Sequence, residues 1–359
     1  MSLSIGIVGL PNVGKSTLFN ALTNNNILAA NYPFATIEPN TGIVPIPDVR
    51  LQNLAKLYNS QKIVPATVTF VDIAGLVAGA SEGEGLGNQF LANIRSTNAI
   101  AHVVRAFDDS NVVHVDNQHY PQKDIDVINT ELILADLQTV DKRLPKLEKE
   151  ARANPKLRPL ADKLQKIKST LSEGQPVHAT FTPDELEDLE DLHLLTMKPV
   201  IYVFNVDEAT LANQEKKIEL SNLVTPAKCI FVCAKLEFEL QSLDEADKQE
   251  LLESYGVVSS GLEQLIHASY STLGLQSYLT AGQKEVRAWT IKKGSTAPQA
   301  AGVIHGDFER GFITAQIISY PDLIEAGSES SAKTAGKIRT EGKTYVMQPD
   351  DVVEFRFNV

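Results

Sequence analysis

The strongest constraint on the fold is a glycine-containing loop near the N-terminus, residues 9–17, which reads GLPNVGKST. It follows the short apolar run 4–8 and precedes the helix-forming segment 17–22. Strand, loop and helix in this order match the phosphate-binding motif G-x-x-x-x-G-K-[ST]. Gly9 and Gly14 permit a turn that points backbone N–H groups at an anion beside the positive helix end. A chance glycine turn would not be followed, in order, by the motifs described below.

This loop predicts how a nucleoside triphosphate is held. We expect Lys15 to reach the β- and γ-phosphates and the Ser16 hydroxyl to bind Mg²⁺. The predicted nucleotide-binding residues of the loop are Asn12, Val13, Gly14, Lys15, Ser16 and Thr17.

A second motif predicts the rest of the metal site. The strand-like run 67–71 ends in Asp72-Ile73-Ala74-Gly75, a D-x-x-G motif in which the Asp holds the Mg²⁺ shell and the Gly N–H senses the γ-phosphate. Thr36 lies between the two motifs and is the natural switch threonine, closing on Mg²⁺ when the γ-phosphate is present. The alternative is a plain loop threonine. The predicted metal ligands are Ser16, Thr36 and Asp72.

The base-reading segment departs from the guanine-specific pattern N-K-x-D. After an apolar strand the chain reads Asn205-Val206-Asp207-Glu208, so Val206 replaces the Lys and Glu208 replaces the Asp. Glutamate is one methylene longer, which displaces the bidentate guanine contact, and misplaced polar groups lose discrimination steeply. The Asn205 amide can pair with the N7 and 6-amino edge of adenine. We predict that ATP binds at least as well as GTP; in the alternative, Asp207 rotates in and restores guanine reading.

A third segment is expected to touch the base. Cys233-Ala234-Lys235 follows the strand 229–232 and resembles the S-A-K loop of GTPases, which contacts the base through its backbone. Cys233 stands in place of the Ser. Together with Asn205, Val206 and Glu208, these three residues form the predicted base site.

The residue that usually orients the attacking water is missing. Leu76 follows Gly75 where many GTPases carry a Gln, so intrinsic hydrolysis should be slow and another group must help. Asn12 can help to hold a monovalent cation beside the phosphates. His114 is a second candidate, although a lone loop histidine is more often a solvated surface residue. The predicted catalytic residues are Lys15, His114, Asn12 and Gly75.

The glycine-rich segment 72–91 resembles the Obg-related P-loop proteins, and the segments 282–290 (GQKEVRAWT) and 297–305 (APQAAGVIH) resemble their YchF subfamily in particular. The similarity covers essentially the whole chain. It implies a nucleotidase of the TRAFAC class that prefers ATP despite a GTPase fold. It also implies association with ribosomes and a role in translation or stress regulation.

Individual residues match that family as well. Leu76 matches its hydrophobic substitution of the catalytic Gln, and His114 matches a histidine thought to swing toward the γ-phosphate. Asn12 matches an asparagine linked to potassium stimulation, which makes K⁺ a candidate cofactor beside Mg²⁺. Two departures are Asn98, where Asp is expected, and Pro145, which puts the straightness of a helix in doubt.

Hydrophobic patterning predicts the architecture. Alternating strands and helices predict an α/β fold, a Ras-like P-loop domain with a doubly wound, mainly parallel sheet. We assign residues 1–125 and 197–277 to it. Residues 126–196 form an inserted antiparallel helical hairpin, and 278–359 form a β-grasp domain that resembles the TGS module. The hairpin rests on two heptad-like stripes, which are Ile133, Leu137, Val140, Leu144 and Leu147, and then Leu157, Leu160, Leu164, Ile167 and Leu171.

Composition narrows the partners. A net charge of −12 argues against nucleic-acid binding over the whole surface but allows a local basic patch. We expect ribosomal RNA or tRNA to contact the hairpin and the C-terminal domain. Candidate phosphate contacts in that domain are Lys292, Lys293, Lys333, Lys337, Arg339 and Lys343. A solvated mixed-charge surface is the alternative for each of them.

No apolar stretch reaches membrane-spanning length, and two cysteines in a chain of 359 residues suit a reducing compartment. We therefore expect a cytoplasmic monomer without a membrane segment. Two functions remain open at this stage. The first is a Mg²⁺-dependent ATPase whose switches report nucleotide state to a translation partner. The second is a ribosome- or RNA-binding scaffold gated by nucleotide, in which hydrolysis is incidental.

Overall fold

The structure is a computed structural model that describes residues 3–24, 40–73, 86–107, 120–240 and 242–358. The chain divides into two compact units. The first unit spans Met1–Gly42 and Thr69–Leu265, and the second unit spans Ile43–Val68 and Ile266–Val359.

The strands are β1 (Ser4–Val8), β2 (Thr41–Pro45), β3 (Ile63–Val64), β4 (Thr67–Asp72), β5 (Ala99–Ala106), β6 (Val200–Val206), β7 (Lys228–Val232), β8 (Leu275–Ala281), β9 (Val286–Lys292), β10 (Phe312–Ser319), β11 (Arg339–Glu341) and β12 (Asp351–Phe357). The helices are α1 (Lys15–Asn24), α2 (Val49–Tyr58), α3 (Leu86–Ser96), α4 (Pro121–Ala153), α5 (Arg158–Ser172), α6 (Pro183–Leu186), α7 (Glu208–Ala212), α8 (Gln214–Asn222), α9 (Ala234–Leu240), α10 (Glu245–Ser254), α11 (Gly261–Thr272), α12 (Ala297–Ile304), α13 (Gly306–Arg310), α14 (Tyr320–Ala326) and α15 (Glu329–Thr334). In the described residues no helix is long and apolar enough to cross a membrane.

The first unit is built on a sheet in which its strands lie in the order β4-β1-β5-β6-β7. β1 pairs in parallel with both β4 and β5, and β6 pairs in parallel with both β5 and β7. Seven consecutive residues of β5, from Ala99 to Arg105, are buried, as expected for a parallel strand covered on both faces. The predicted α/β fold is confirmed. The carboxyl ends of the central strands meet at one edge, where such folds bind ligands.

The helical hairpin predicted between sheet strands is present. α4 and α5 pack against each other through a buried apolar core that contains both predicted stripes. Between them the Asn154 side chain accepts a hydrogen bond from the Lys156 N–H and caps the short turn Pro155–Leu157. Pro145 lies inside α4, which continues as one helix through it.

One buried carboxylate ties the hairpin to the chain that returns to the sheet. Asp136 of α4 is fully buried and accepts hydrogen bonds from the Leu195 N–H (2.8 Å), the Thr196 N–H (2.7 Å) and the Thr196 hydroxyl (2.7 Å). Burial raises the pKa of Asp136, and these hydrogen bonds oppose that shift. Two of the donors are backbone groups of a turn that comes just before β6, so Asp136 sets where the sheet resumes.

The second unit is a mixed sheet with the order β11-β10-β12-β8-β9-β3. The pairs β10–β11, β10–β12 and β8–β9 are antiparallel, while β12–β8 and β3–β9 are parallel. α12 packs on this sheet through Ala297, Ala300 and Ala301, which are completely buried. A mixed sheet with a helix across it is the β-grasp arrangement that the sequence predicts.

The compact units differ from the predicted domain limits at three places. The second unit begins its C-terminal part at Ile266 and not at 278, and the hairpin 126–196 lies within the first unit. We assigned all of residues 1–125 to the nucleotide-binding domain, whereas 43–68 packs within the second unit. There the Asn53 amide donates to the Tyr320 hydroxyl (2.8 Å), and Arg50 pairs with Asp350 (2.9 Å). Contacts across more than 250 positions of sequence leave no local signal, so composition and periodicity did not reveal this excursion.

The Asp136 anchor makes a stability prediction. In Asp136→Asn the side chain keeps its shape but loses one acceptor, so one buried donor is left without a partner at a cost of about 1–3 kcal/mol. We expect urea unfolding to show that loss. Asp141→Asn on the same helix removes an exposed partner of Lys168 and should cost far less. Equal losses for the two variants would contradict the role given to Asp136.

Candidate nucleotide-binding site

The loop between β1 and α1 has the backbone conformation of a phosphate cradle. Asn12 and Gly14 both have positive φ, 62° and 99°, which helps to turn successive N–H groups toward one concave side. A Cβ atom on Gly14 would lie 2.4 Å from the Asn205 amide nitrogen, and one on Gly9 would lie 2.5 Å from the Val103 carbonyl oxygen. Both glycines are therefore required by close packing, and Gly14 also by its positive φ.

Lys15 is held against its own loop. Its ammonium donates to the Leu10 carbonyl at 2.7 Å, and the side chain is 8% exposed. Burial lowers the pKa of Lys15 to about 8, while the Asp72 carboxylate opposes this shift. The side chain is thus already folded back over the loop, and a bound phosphate would restore the charge that burial disfavours.

Ser16 and Asp72 meet as a metal site requires. The Ser16 hydroxyl donates to Asp72 Oδ2 at 3.3 Å, and Asp72 Oδ1 is buried without a hydrogen-bond partner in the part of the chain that is described. No cluster of three His, Cys, Asp or Glu side chains occurs among those residues. Two protein oxygens completed by phosphates and water suit Mg²⁺, which rarely uses an all-protein cage. The residues present fit this ion.

Asn205 connects the base-reading segment to the phosphate loop. Its amide nitrogen donates to the Val13 carbonyl at 3.0 Å, and the side chain is 8% exposed. The sequence predicts that this amide pairs with adenine. In the structure its nitrogen is bound to the loop, so Asn205 holds the phosphate cradle to the end of β6. Direct pairing of Asn205 with adenine stays a prediction.

The two residues after Asn205 have structural contacts of their own. Val206 is 3% exposed and packs in the apolar core with Val104 and Leu211, and its contact with the base stays a prediction. Asp207 caps α7 by accepting a hydrogen bond from the Thr210 N–H at 2.7 Å. Rotation of Asp207 toward a guanine would break this cap, which argues against the alternative considered above.

Glu208 faces the third segment. Its carboxylate pairs with the Lys235 ammonium at 3.0 Å and accepts a longer hydrogen bond of 3.4 Å from the Tyr255 hydroxyl. Ala234 begins α9, directly after the buried Cys233. Burial raises the pKa of the Cys233 thiol, so this side chain is a core group and any base contact there is made through the backbone.

Two side chains near the predicted base site escaped sequence reasoning. Tyr255 follows α10 and reaches Glu208 across 47 positions of sequence. Glu237, 5% exposed, accepts from the Leu262 N–H at 3.2 Å and borders a cavity of about 20 Å³ beside Asn205 and Ala234. Burial raises the pKa of Glu237. Neither residue belongs to a motif, so no sequence signal pointed to them.

Four predicted residues lie outside the described part of the chain. They are Thr36, Gly75, Leu76 and His114. Their roles as switch threonine, γ-phosphate sensor, hydrophobic substitute and water-orienting histidine stay predictions. Among the described residues, the structure brings Ser16 to Asp72, Asn205 to Val13 and Glu208 to Lys235.

The lowered pKa of Lys15 predicts proton uptake on nucleotide binding. Above a pH of about 8 the free protein carries Lys15 partly neutral, and phosphates favour the charged form, so binding takes up a proton and weakens as the pH rises. Burial, and then the Lys15 charge, lower the pKa of nearby His102 to about 3, so this histidine stays neutral throughout.

Calorimetry in buffers of different ionisation enthalpy measures that uptake. We expect it to grow from near zero at a pH of about 7 to most of one proton at about 8.5. In Lys15→Arg, whose side chain does not titrate in this range, the growth should vanish. Equal uptake at both pH values in the unmodified protein would disprove the assignment.

Comparison with known proteins identifies the family of the chain. A family model described as 50S ribosome-binding GTPase matches residues 4–141, and the YchF GTPase C-terminal model, described as a protein of unknown function, matches 275–358. The ribosome-binding ATPase YchF of Bacillus subtilis is 52% identical, and that of Escherichia coli O157:H7 is 48% identical, each over 100% of both chains. The structure of the Schizosaccharomyces pombe YchF GTPase superimposes with a TM-score of 0.86 at 39% identity, covering 99% of this chain and 98% of that one. The chain therefore belongs to the YchF family of P-loop proteins.

Proposed function

We propose that this protein is a Mg²⁺-dependent P-loop nucleotidase that hydrolyses ATP to ADP and phosphate, with GTP as a lesser or alternative substrate. The observation that carries the proposal is the Ser16–Asp72 pair, with one buried Asp72 oxygen left for a cation, beside the Lys15 ammonium. Relatives that match over their full length bear the name ribosome-binding ATPase, which supports ATP as the substrate.

Catalysis by this site is positioning and charge neutralisation. Lys15 and the backbone N–H groups of residues 12–17 would hold the β- and γ-phosphates, while Ser16 and Asp72 would hold Mg²⁺, with Thr36 as a third ligand. The ion neutralises charge that develops on the phosphate oxygens. Because Asn205 holds the loop to the sheet, these donors are oriented before the nucleotide binds. Preorganised donors of this kind are usually the largest source of electrostatic stabilisation of a transition state.

Water activation rests on residues that only the sequence supports. We propose that His114 orients the attacking water in place of the Gln that Leu76 replaces, and that Gly75 reports the γ-phosphate. Asn12 would contribute to a K⁺ site beside the phosphates. Its left-handed backbone, with φ of 62°, places it on the cradle itself.

Metal-dependent hydrolysis is the direct test. Asp72→Asn removes the anionic ligand and should lower Mg²⁺-dependent phosphate release from ATP by about 10²-fold or more, the range seen when one strong electrostatic contact is removed. ATP binding without Mg²⁺ should persist. The matched control is Asp162→Asn on the exposed face of α5, which should hydrolyse ATP normally. Full activity in Asp72→Asn would refute the proposed metal site.

The same variant separates the two functions left open by the sequence. If Asp72→Asn binds ATP without hydrolysing it and still performs the cellular role, the protein is a nucleotide-gated scaffold. If the role is lost with hydrolysis, the ATPase reading holds.

We further propose that the ribosomal contact of this cytoplasmic protein is made through RNA at the hairpin tip. Between Asp141 and Lys168 the chain has ten Lys or Arg and four Asp or Glu, a local net charge of ten minus four, or +6, in a protein of net charge −12. A concentrated positive surface on an acidic protein favours a polyanion at that place alone.

The ion pairs of the hairpin leave several cations available. Arg143 pairs with Glu150 at 3.0 Å, and Lys168 pairs with Asp141 at 2.7 Å. The exposed cations that form no ion pair within 4 Å among the described residues are Lys142, Lys146, Lys149, Arg152, Lys156 and Lys166.

Two of the six C-terminal candidates already form ion pairs. Lys337 pairs with Asp322 at 2.8 Å, and Arg339 lies 3.7 Å from Glu341 and 3.8 Å from Asp351. These two predicted phosphate contacts already serve carboxylates, as the solvated-surface alternative expects. Residues 278–359 carry ten Lys or Arg and ten Asp or Glu, so the C-terminal domain as a whole is neutral. Because the hairpin segment has a local net charge of +6, we propose it as the stronger RNA-binding surface of the two.

Salt dependence distinguishes these surfaces. In the double variant Lys146→Glu, Lys149→Glu we expect weaker ribosome co-sedimentation and a logarithmic salt slope reduced by about one for each lost phosphate contact. Lys292→Glu, Lys293→Glu makes the same charge change in the second unit and should have the smaller effect. A larger effect of the second pair would move the contact to the C-terminal domain.

A further inference from the structure

Three side chains converge on one carboxylate near the base end of the site. Glu208 is the first residue of α7, Lys235 the second residue of α9, and Tyr255 follows α10. The Lys235 ammonium lies 3.0 Å from Glu208 Oε1 and 3.1 Å from Oε2, and the Tyr255 hydroxyl lies 3.4 Å from Oε1. Both carboxylate oxygens therefore share one cation, with a phenol at the side.

Guanine recognition would need these same two oxygens. An acidic residue reads guanine by accepting one hydrogen bond from N1–H and one from the 2-amino group, one per oxygen. In this protein Lys235 contacts both oxygens, so a guanine must displace it before it can be read. Adenine has neither donor and binds without disturbing the pair.

A helix cap and core packing hold the backbone around this cluster, so the Glu208–Lys235 pair opens or closes through side-chain motion. Asp207 caps α7 and sets the start of the helix at Glu208, with the Thr210 N–H at 2.7 Å. Leu236, next to Lys235, is 2% exposed in the core. The Glu208 side chain is 34% exposed and that of Lys235 is 67% exposed, so the pair lies at the surface and can open without unfolding.

We infer that Lys235, assisted by Tyr255, is a positioning residue that withholds the Glu208 carboxylate from guanine and thereby sets the base selectivity of this protein. The inference rests on the proposed nucleotidase function. The longer side chain of glutamate is then one cause of base selectivity, and the Lys235 ammonium is a second. Lys235 competes with guanine for the Glu208 carboxylate. Lys235, which the sequence predicts as a nucleotide-binding residue, then weakens GTP binding relative to ATP binding.

The test is the ratio of the GTP and ATP dissociation constants, measured by calorimetry with Mg²⁺ on the full chain. Lys235→Met should improve GTP binding relative to ATP by about three- to fivefold, the scale of a partly exposed ion pair. Tyr255→Phe should shift the ratio in the same direction by less. Lys235→Arg keeps a cation and should restore the original ratio.

Two further variants keep the result specific. Lys228→Met makes the same change at the opposite end of β7 and should leave the ratio unchanged. Glu208→Gln added to Lys235→Met should abolish the gain in GTP binding, because the withheld carboxylate is then absent. A gain that survives Glu208→Gln would overturn the inference.

The outcomes also separate this inference from the function beneath it. If the unmodified protein binds neither ATP nor GTP with Mg²⁺, the proposed nucleotidase function fails, and the inference fails with it. If it binds ATP and Lys235→Met leaves the ratio unchanged or weakens GTP binding selectively, the function stands and the inference alone is overturned.

Discussion

The hydrogen bond from the Asn205 amide to the Val13 carbonyl is the contact on which the site depends. It joins the phosphate loop after β1 to the end of β6, two places away in the sheet. The Asn205 amide also fills the space that a Cβ on Gly14 would need, so loop glycine and strand asparagine require each other. A cradle fixed in this way has its N–H groups oriented before phosphate binds, and that preorganisation makes backbone dipoles effective against developing charge.

Buried polar side chains also fix the backbone away from the site. Asp136 satisfies two backbone N–H groups and a hydroxyl inside the first unit, and Glu237 satisfies a backbone N–H at the start of α11. Each is a buried carboxylate whose cost is offset by donors that would otherwise lack partners. These contacts fix where α4 meets the returning chain and where α9 meets α11. The charged groups left at the surface then serve partners, as the hairpin cations would.

Local chemistry explains why much was predictable. The phosphate loop and Asp72 follow short patterns that are specific when a strand precedes them, as it does for both in this chain. The two predicted stripes of the hairpin follow from the period of a helix, which repeats one face every three to four residues. Proline inside a helix usually kinks or ends it, but α4 continues through Pro145, where tertiary packing of the long helix outweighs the local preference.

Other features required the folded chain. The sequence by itself determined which residues can hold a triphosphate and Mg²⁺, because a glycine loop, a lysine, a serine and an aspartate carry that chemistry wherever strands align them. Only the tertiary structure decided that the Asn205 amide binds the phosphate loop, that Val206 lies in the core and that Lys235 pairs with the Glu208 carboxylate. The partners of Asn205 and Glu208 lie 192 and 27 positions away. The physical reason is that a polar side chain takes whichever donor or acceptor folding brings within about 3 Å, and no local pattern records that choice.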